Sequence, residues 1–275
     1  MSLSKILKVA WRARSLEFAK EYRESAQGAG DGIGTYQWRA GDGAALRFRR
    51  GTSDTGLIYD ILLKPGRKAE YWLPKALEPG TILDIGGNIG VTSRYLAHRF
   101  PGAQVHAFEP VPANIELLRI NAEANVRIRI HPYALGPADG EIVLGSPDPT
   151  GYNRGGYSAF ADSGSGHQVK APVRAVASAL ADAGISRADV IKIDTEGAEF
   201  AILSAFPEEI IGRASWIYGE LHSEAIARPA DFKALDLLSR WFDIETYKPL
   251  RKRNYFFDAC RRDLSGGFRG FRRYR

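Results

Sequence analysis

The decapeptide Thr81–Gly90, TILDIGGNIG, is followed nineteen residues after Gly90 by Glu109, which closes a second apolar run, Gln104–Phe108. A short apolar strand, a glycine turn, a helix and a second strand ending in a carboxylate together open a Rossmann-like unit, the arrangement that grips an adenosine-containing cofactor. The glycines discriminate between cofactors. The dinucleotide fingerprint G-x-G-x-x-G would place glycine at 85, 87 and 90, and the first slot holds Ile85. What remains is Asp84, Gly86 and Gly90, with Gly87 and Asn88 inside the turn.

This frame suits S-adenosyl-L-methionine on grounds of charge. A pyrophosphate wants bare N–H groups at a helix N-terminus, whereas the methionine end of S-adenosylmethionine carries an ammonium and a sulfonium. A carboxylate beside the turn, Asp84, favours that cationic end and repels a pyrophosphate. Gly86, Gly87 and Gly90 lack a Cβ and let the backbone approach the ligand, and Glu109 is expected to accept hydrogen bonds from the ribose hydroxyls. The competing reading is a tight strand-to-helix connection with no ligand.

Two later runs, AFEPVPANIELLRIN (Ala107–Asn121) and VIKIDTEGAEFAIL (Val190–Leu203), follow DIGGNIG in order. Together they resemble the FkbM family of S-adenosylmethionine-dependent methyltransferases, as do RRGTSD (Arg49–Asp54) and Glu70-Tyr71 upstream, so the likeness covers about residues 45–222. The resemblance implies an α/β, class I methyltransferase Rossmann-like fold: a mostly parallel seven-stranded sheet with helices on both faces and a last strand running antiparallel. It also implies O-methylation of a hydroxyl on a sugar, glycan or secondary metabolite, and a Tyr71 that closes over the cofactor. Asn88 stands where other methyltransferases often carry glycine, and a non-glycine there fits this family.

A chain of 275 residues can bury a substantial core as one enzyme-sized unit. The expected division is a helical and short-strand extension, 1–78, packing on a cofactor-binding core, 79–275, with a 144–170 insertion loop and a basic C-terminal tail. No apolar run approaches the roughly 20 residues that span a bilayer, and no signal region opens the chain, so a cytoplasmic protein is expected. The single Cys260 excludes an intramolecular disulfide and a cysteine-based zinc cluster; it reads as a core residue.

Leu3, Ile6, Leu7, Ala10 and Trp11, interleaved with Lys5, Lys8, Arg12 and Arg14, predict an amphipathic helix from Leu3 to about Tyr22. Short strands are expected near 35–39 and 45–50, then a helix from Ser53 to about Leu63 capped by Ser53 or Asp54. From Thr81 the pattern alternates: strand 81–85, helix 89–99, strand 103–108, helix 111–124, strand 126–132, then strand 189–194, helix 198–205, strand 214–220 and a late pair, 242–247 and 254–260. Alternation of this kind argues a parallel sheet covered on both faces. The residues near Ala134 in HPYALG are expected to line the adenine.

Between Leu144 and Lys170 the rhythm breaks into a segment rich in glycine, serine, proline and aspartate, too long for an ordinary connection. Tyr152, Asn153, Arg154, Tyr157 and Ser158 suit contact with a polyhydroxylated acceptor; the plainer reading is a hairpin tip. In IKIDTEGAEF, Asp194 ends a strand and Glu196 sits in the following turn, where an open α/β sheet binds its ligand. Both are expected to face the transferring methyl, and Asp194 the cofactor too. Glu199, in a first helical turn, is explained by the helix dipole.

WIYGELH places Glu220 and His222 on one side of a strand. His222 is expected as the general base for a hydroxyl proton, with Asp194 its competitor, and Glu220 as an acceptor contact. Oxygen-rich clusters of this type also suit Mg²⁺, but no metal is assigned, because nothing in the sequence fixes the geometry.

The chain's net +6 is a C-terminal property: Lys248–Arg275 carries ten Lys/Arg against two Asp, leaving residues 1–247 at −2. Phe268, Phe271 and Tyr274 interleave with arginines, as in some RNA-binding tails. A solvated tail, a subunit contact in a homodimer, and an anionic-acceptor or membrane-surface patch compete with that reading. With no nucleic-acid module around it, a small-molecule or glycan acceptor ranks ahead of nucleic acid. The function read from the sequence is methyl transfer by proximity and desolvation, the former contributing roughly 7–11 kcal/mol in well-oriented systems. RNA or protein methylation through the tail and a non-catalytic cofactor-binding scaffold are the alternatives.

Overall fold

The computed structural model describes residues 2–123, 125–146, 152–153, 155–158, 168–222, 232–247 and 254–266. Arg154, much of the 144–170 segment and the tail residues Phe268, Phe271 and Tyr274 lie outside them. The N-terminal amphipathic run forms two helices rather than one, α1 (Leu3–Ala13) and α2 (Leu16–Ser25). Arg14 turns left-handed at φ 51°, and the Ser15 side chain accepts the Phe18 N–H to start α2, so a local cap outweighs continuous helical periodicity. A hairpin of β1 (Ile33–Gln37) and β2 (Ala45–Arg49) follows. Helix α3 (Asp54–Leu57) then widens into a π-helical stretch, Ile58–Leu63. The expected cap is absent there. Ser53 Oγ bonds Asn153 instead, and Asp54 pairs with Arg49 at 2.8 Å.

The core begins with β3 (Thr81–Ile85), α4 (Val91–Arg99), β4 (Gln104–Phe108), α5 (Pro112–Ala122) and β5 (Ile128–His131). Next come β6 (Ala134–Gly136), β7 (Gly140–Gly145), β8 (Gln168–Ala175) and α6 (Val176–Asp182). The chain continues through β9 (Val190–Ile193), α7 (Glu199–Ser204), α8 (Glu208–Ile211), β10 (Trp216–Leu221), α9 (Lys233–Leu238), β11 (Phe242–Tyr247), β12 (Tyr255–Arg261) and α10 (Arg262–Ser265). Seven strands form one sheet in the order β11-β12-β10-β9-β3-β4-β5. Only β12 runs antiparallel to its neighbours β10 and β11; the other pairs are parallel. Every residue of β9 and β10 is buried, as a sheet covered on both faces requires, which is why these strands read as continuous apolar runs. The order reverses between β3 and β9, and that switch point is where open α/β sheets bind ligands.

Sequence periodicity missed a second sheet, β6-β8-β7. Its strands β7 and β8 pair antiparallel, and the two ends of the expected 144–170 insertion, Leu144–Gly145 and Gln168–Lys170, belong to them. Three further associations hold the N-terminal extension to the core. Val9, Phe18, Tyr36, Phe48 and Ile58 share one apolar cluster with Ile82, Val105 and Trp216, each such side chain stabilising the fold by about 1.5–3 kcal/mol. Buried Arg94 of α4 donates to the Ala45 carbonyl at 2.6 Å and pairs with Asp42. Asn121 of α5 accepts the Arg47 N–H at 2.7 Å and donates to the Arg47 and Ile89 carbonyls. Cys260 is buried in β12.

Candidate active site

A cavity of about 670 Å³ opens beyond the carboxyl ends of β3, β4, β9 and β10, closed on one side by the β6-β8-β7 sheet. Its walls include Gly86, Asn88, Glu109, Ala134, Tyr152, Asn153, Tyr157, Asp194, Glu196 and Glu220. Phe108, Val111, Tyr133, Leu135 and Ile142 supply an apolar side. Asp60 and Glu70 bring the carboxylates to six, and no Lys, Arg or His lines it among the described residues.

The glycine turn is clipped to β4 by the Gly86 and Gly87 N–H groups, which donate to the Phe108 carbonyl at 3.0 and 2.9 Å. Gly86 has φ 84°, and a Cβ there would lie 1.9 Å from the Asp194 carbonyl oxygen. Its glycine is therefore demanded by the adjoining β9 turn, not only by a ligand. Asn88, at φ 47°, is in the left-handed region that asparagine tolerates better than most residues. Gly87 and Gly90 build this turn behind the cavity wall without lining it.

Asp84 does not face the cavity, which corrects the expectation that it receives the methionine end. It is fully buried, accepts the Ser93 hydroxyl at 2.5 Å and pairs with the Lys192 ammonium at 3.2 Å. Lys192 in turn donates to the Gly86 carbonyl at 2.6 Å. Burial alone would lower the lysine pKa, but Asp84 and Asp194 outweigh it and raise it. The carboxylate thus holds the turn through a lysine.

Glu109 sits at the carboxyl end of β4 with both oxygens directed by the protein. The Val111 N–H and Asn114 side-chain amide donate to Oε1 at 3.0 and 3.1 Å, and the Asn88 N–H donates to Oε2 at 2.8 Å. Arg49 donates to the Asn114 oxygen at 2.9 Å, so the upstream RRGTSD run reaches Glu109 through one side chain. Burial raises the Glu109 pKa despite these donors.

The opposite wall is a hub around His222. Its Nδ1 lies 2.9 Å from Glu199 Oε1, and its Nε2 lies 3.1 Å from Glu196, 3.9 Å from Asp194 and 4.0 Å from Glu220. Burial would lower the histidine pKa, but the hydrogen bonds to Glu196 and Glu199 and the nearby carboxylates raise it to about 12. Both ring nitrogens are engaged and the surrounding carboxylates favour the protonated ring, which counts against the free base expected from the sequence. It lies behind the cavity wall and holds the carboxylates in place. Glu199 is more than a dipole partner: its Oε1 also accepts from the Thr195 and Gly197 N–H groups. Tyr71, buried, donates to Asp194 Oδ2 at 2.7 Å and likewise does not line the cavity, so it orients Asp194 instead of closing over a cofactor. Glu196 has φ 55°, strain that sits at the cavity wall. Asp194, Glu220 and His222 each bring a ligand atom within 4.8 Å of the others, a spacing that a divalent cation can bridge only after the imidazole gives up a proton.

The described part of the insertion is tied to this wall. The Ser53 N–H donates to the Tyr152 carbonyl at 2.9 Å, and Ser158 Oγ donates to the Glu196 carbonyl at 2.6 Å. Ser158 therefore fixes Glu196 from outside the cavity, whereas Tyr152, Asn153 and Tyr157 line it. Sequence reading passed over Lys192 and Asn254, and took in Tyr133 only as part of HPYALG. Lys192 had a usable signal, a lysine inside the apolar strand VIKI, because a cation in a fully covered strand needs a partner. Asn254 donates to Glu220 Oε1 at 2.8 Å and had none.

A family model described as the methyltransferase FkbM domain matches residues 84–255. Methyltransferase 1 of Beauveria bassiana (strain ARSEF 2860) is 27% identical over 151 residues, 46% of this chain and 59% of its own length. The 31-O-demethyl-FK506 methyltransferase FkbM of Streptomyces tacrolimicus is 27% identical over 176 residues, 53% of this chain and 67% of its own. The chain thus spans about three fifths to two thirds of these relatives. The crystal structure of methyltransferase FkbM from Methylobacillus flagellatus KT aligns with 90% of this chain and 60% of its own, at 16% identity and a TM-score of 0.49. With the family model covering well over half of its residues, this chain belongs to the FkbM family of methyltransferases.

Proposed function

We propose that the protein transfers a methyl group from S-adenosylmethionine to a hydroxyl of a sugar, glycan or secondary metabolite. The observation that carries this reading is the cavity's charge: six carboxylates and, among the described residues, no Lys or Arg. Such a wall favours a ligand with an ammonium and a sulfonium and disfavours a pyrophosphate. The donor set fits: Glu109 at the carboxyl end of β4 for the ribose, the Gly86–Asn88 turn for the methionine end, and Ala134 beside Phe108 and Tyr133 for the adenine. When bound, the cofactor supplies an electrophilic methyl. Hydroxyl as the acceptor is supported by the Streptomyces relative, whose name specifies a 31-O-demethyl compound.

Asp194 lines the cavity, is oriented by Tyr71 and takes the acceptor proton. Glu196 and Glu220 hold acceptor hydroxyls, and a His222 cation offsets one of the three charges. Tyr152, Asn153 and Tyr157 orient the acceptor from the insertion side. Calorimetry with S-adenosylmethionine and NAD, followed by mass spectrometry of a hydroxylated acceptor panel, tests the reading; NAD binding without S-adenosylmethionine binding refutes it. With an acceptor in hand, Asp194→Asn should lower kcat by about 10²–10⁴-fold with cofactor affinity little changed. If His222→Gln alone has that effect and Asp194→Asn has none, the proton goes to the histidine.

A further inference from the structure

Helix α1 carries two apolar faces. Val9 and Ala13 are buried against the protein, but Leu3, Leu7 and Trp11, four residues apart on the outward face, are 71, 59 and 79% exposed, and Leu16 just beyond is 79% exposed. A solvent-facing helix normally shows polar residues there. Lys8 and Arg14, both exposed, border this stripe, and residues 2–16 contain Lys5, Lys8, Arg12 and Arg14 with no Asp or Glu. Arg12 donates to Tyr59 at 2.7 Å and Lys5 stacks over Tyr22, so the helix is anchored with its stripe outward. Tyr59 belongs to the π-helical stretch whose Asp60, with Leu57 just before it, lines the cavity.

We infer that α1 docks the protein on an anionic lipid surface, with Leu3, Leu7, Trp11 and Leu16 entering the interface and Lys8 and Arg14 pairing with headgroup phosphates. An in-plane amphipathic helix with Trp and Leu on one face and Lys/Arg beside them is built for this. Charge selects this occupant over the alternatives. A second copy would set two such cationic helices against each other in a symmetric contact. The chain's own C-terminal tail, with Arg269, Arg272, Arg273 and Arg275, is also cationic. Among the described residues no helix is long and apolar enough to cross a membrane.

Vesicle flotation of the full chain tests this, comparing phosphatidylcholine vesicles that contain phosphatidylglycerol with phosphatidylcholine alone. Binding to the anionic vesicles only is expected. Lys8→Ala with Arg14→Ala should weaken it by about 30-fold, at roughly fivefold per charge. Leu7→Ser with Trp11→Ser should abolish it with every charge intact; these positions are exposed, and unchanged circular dichroism and S-adenosylmethionine affinity will show that the variants fold. No flotation, or undiminished flotation of both double variants, overturns the inference, the latter assigning binding to the basic tail. A vesicle-free dimer that the Leu7→Ser, Trp11→Ser variant dissolves also overturns it and makes the stripe a self-contact.

Discussion

The buried pair Asp84–Lys192 permits a test that separates a structural carboxylate from a ligand-binding one. Asp84 is wholly enclosed and Lys192 nearly so, at 3.2 Å. Lys192→Met leaves the Asp84 charge without its cation, and Asp84→Asn leaves the ammonium with the Gly86 and Ile85 carbonyls and the more distant charges of Asp194 and Glu109. Breaking a buried pair from one side costs about 3–5 kcal/mol, whereas replacing both partners with neutral groups of similar volume is often neutral. Each single variant should therefore lose about 3–5 kcal/mol in guanidinium unfolding followed by circular dichroism, and the Asp84→Asn, Lys192→Met double variant only about 1 kcal/mol. The resulting coupling, at least about 5 kcal/mol, exceeds the roughly 0.5–3 kcal/mol usual for contacting residues, as a charge pair with no access to water should. The double variant should bind S-adenosylmethionine within about tenfold of the parent, a difference of 1.4 kcal/mol. Additive single losses, or a stable double variant with much weaker binding, would refute the reasoning; the second result would return Asp84 to the ligand.

Gly86→Ala should cost about 1–3 kcal/mol from its positive φ alone, with the collision at the Asp194 carbonyl adding to it; stability within about 0.5 kcal/mol of the parent would contradict the close approach of the two turns. Tyr157→Ala should raise the acceptor KM while leaving the calorimetric Kd for S-adenosylmethionine unchanged, and equal losses in both would assign the insertion a purely structural role. His131 has its pKa pushed down from 6.5 to about 4, by burial and then by the neighbouring His106. The unfolded chain therefore takes up the proton first, and the stability present above pH 6.5 should be lost as the pH falls towards 4. In His131→Phe the decline of Tm over that window should be shallower; an identical slope would show that other groups govern acid unfolding.

The central strands β3, β4, β9 and β10 were legible because each is a short run buried along almost its whole length, and the last pair because Phe242–Tyr247 and Tyr255–Arg261 stand apart towards the end of the sequence. Glu109 and Asp194 were legible for a related reason: a polar residue directly after such a run must lie at a strand's carboxyl end. The β6-β8-β7 sheet was missed although Val169, Ala171, Val173 and Ala175 alternate along β8; β7 shows no such alternation, and Pro172 inside the run argues against a strand. The break between α1 and α2 was hidden by an unbroken helical period, which carries no record of the Ser15 cap.

By itself, the sequence determined the turn, the strand ends and the family, since these depend on residue type at fixed spacing along one chain. Tertiary structure alone decided which carboxylates face the cavity and which cation each is paired with. Asp84 and Glu109 both follow apolar strand residues, but in the sheet Asp84 stands opposite Lys192 of β9 and is neutralised there. His222 looked like a base beside one glutamate. Folding gathers Asp194, Glu196, Glu199 and Glu220 within 4.0 Å of its ring nitrogens and favours the protonated ring. A side chain's protonation is set by its neighbours through space and by its burial, and neither is fixed until the strands have paired.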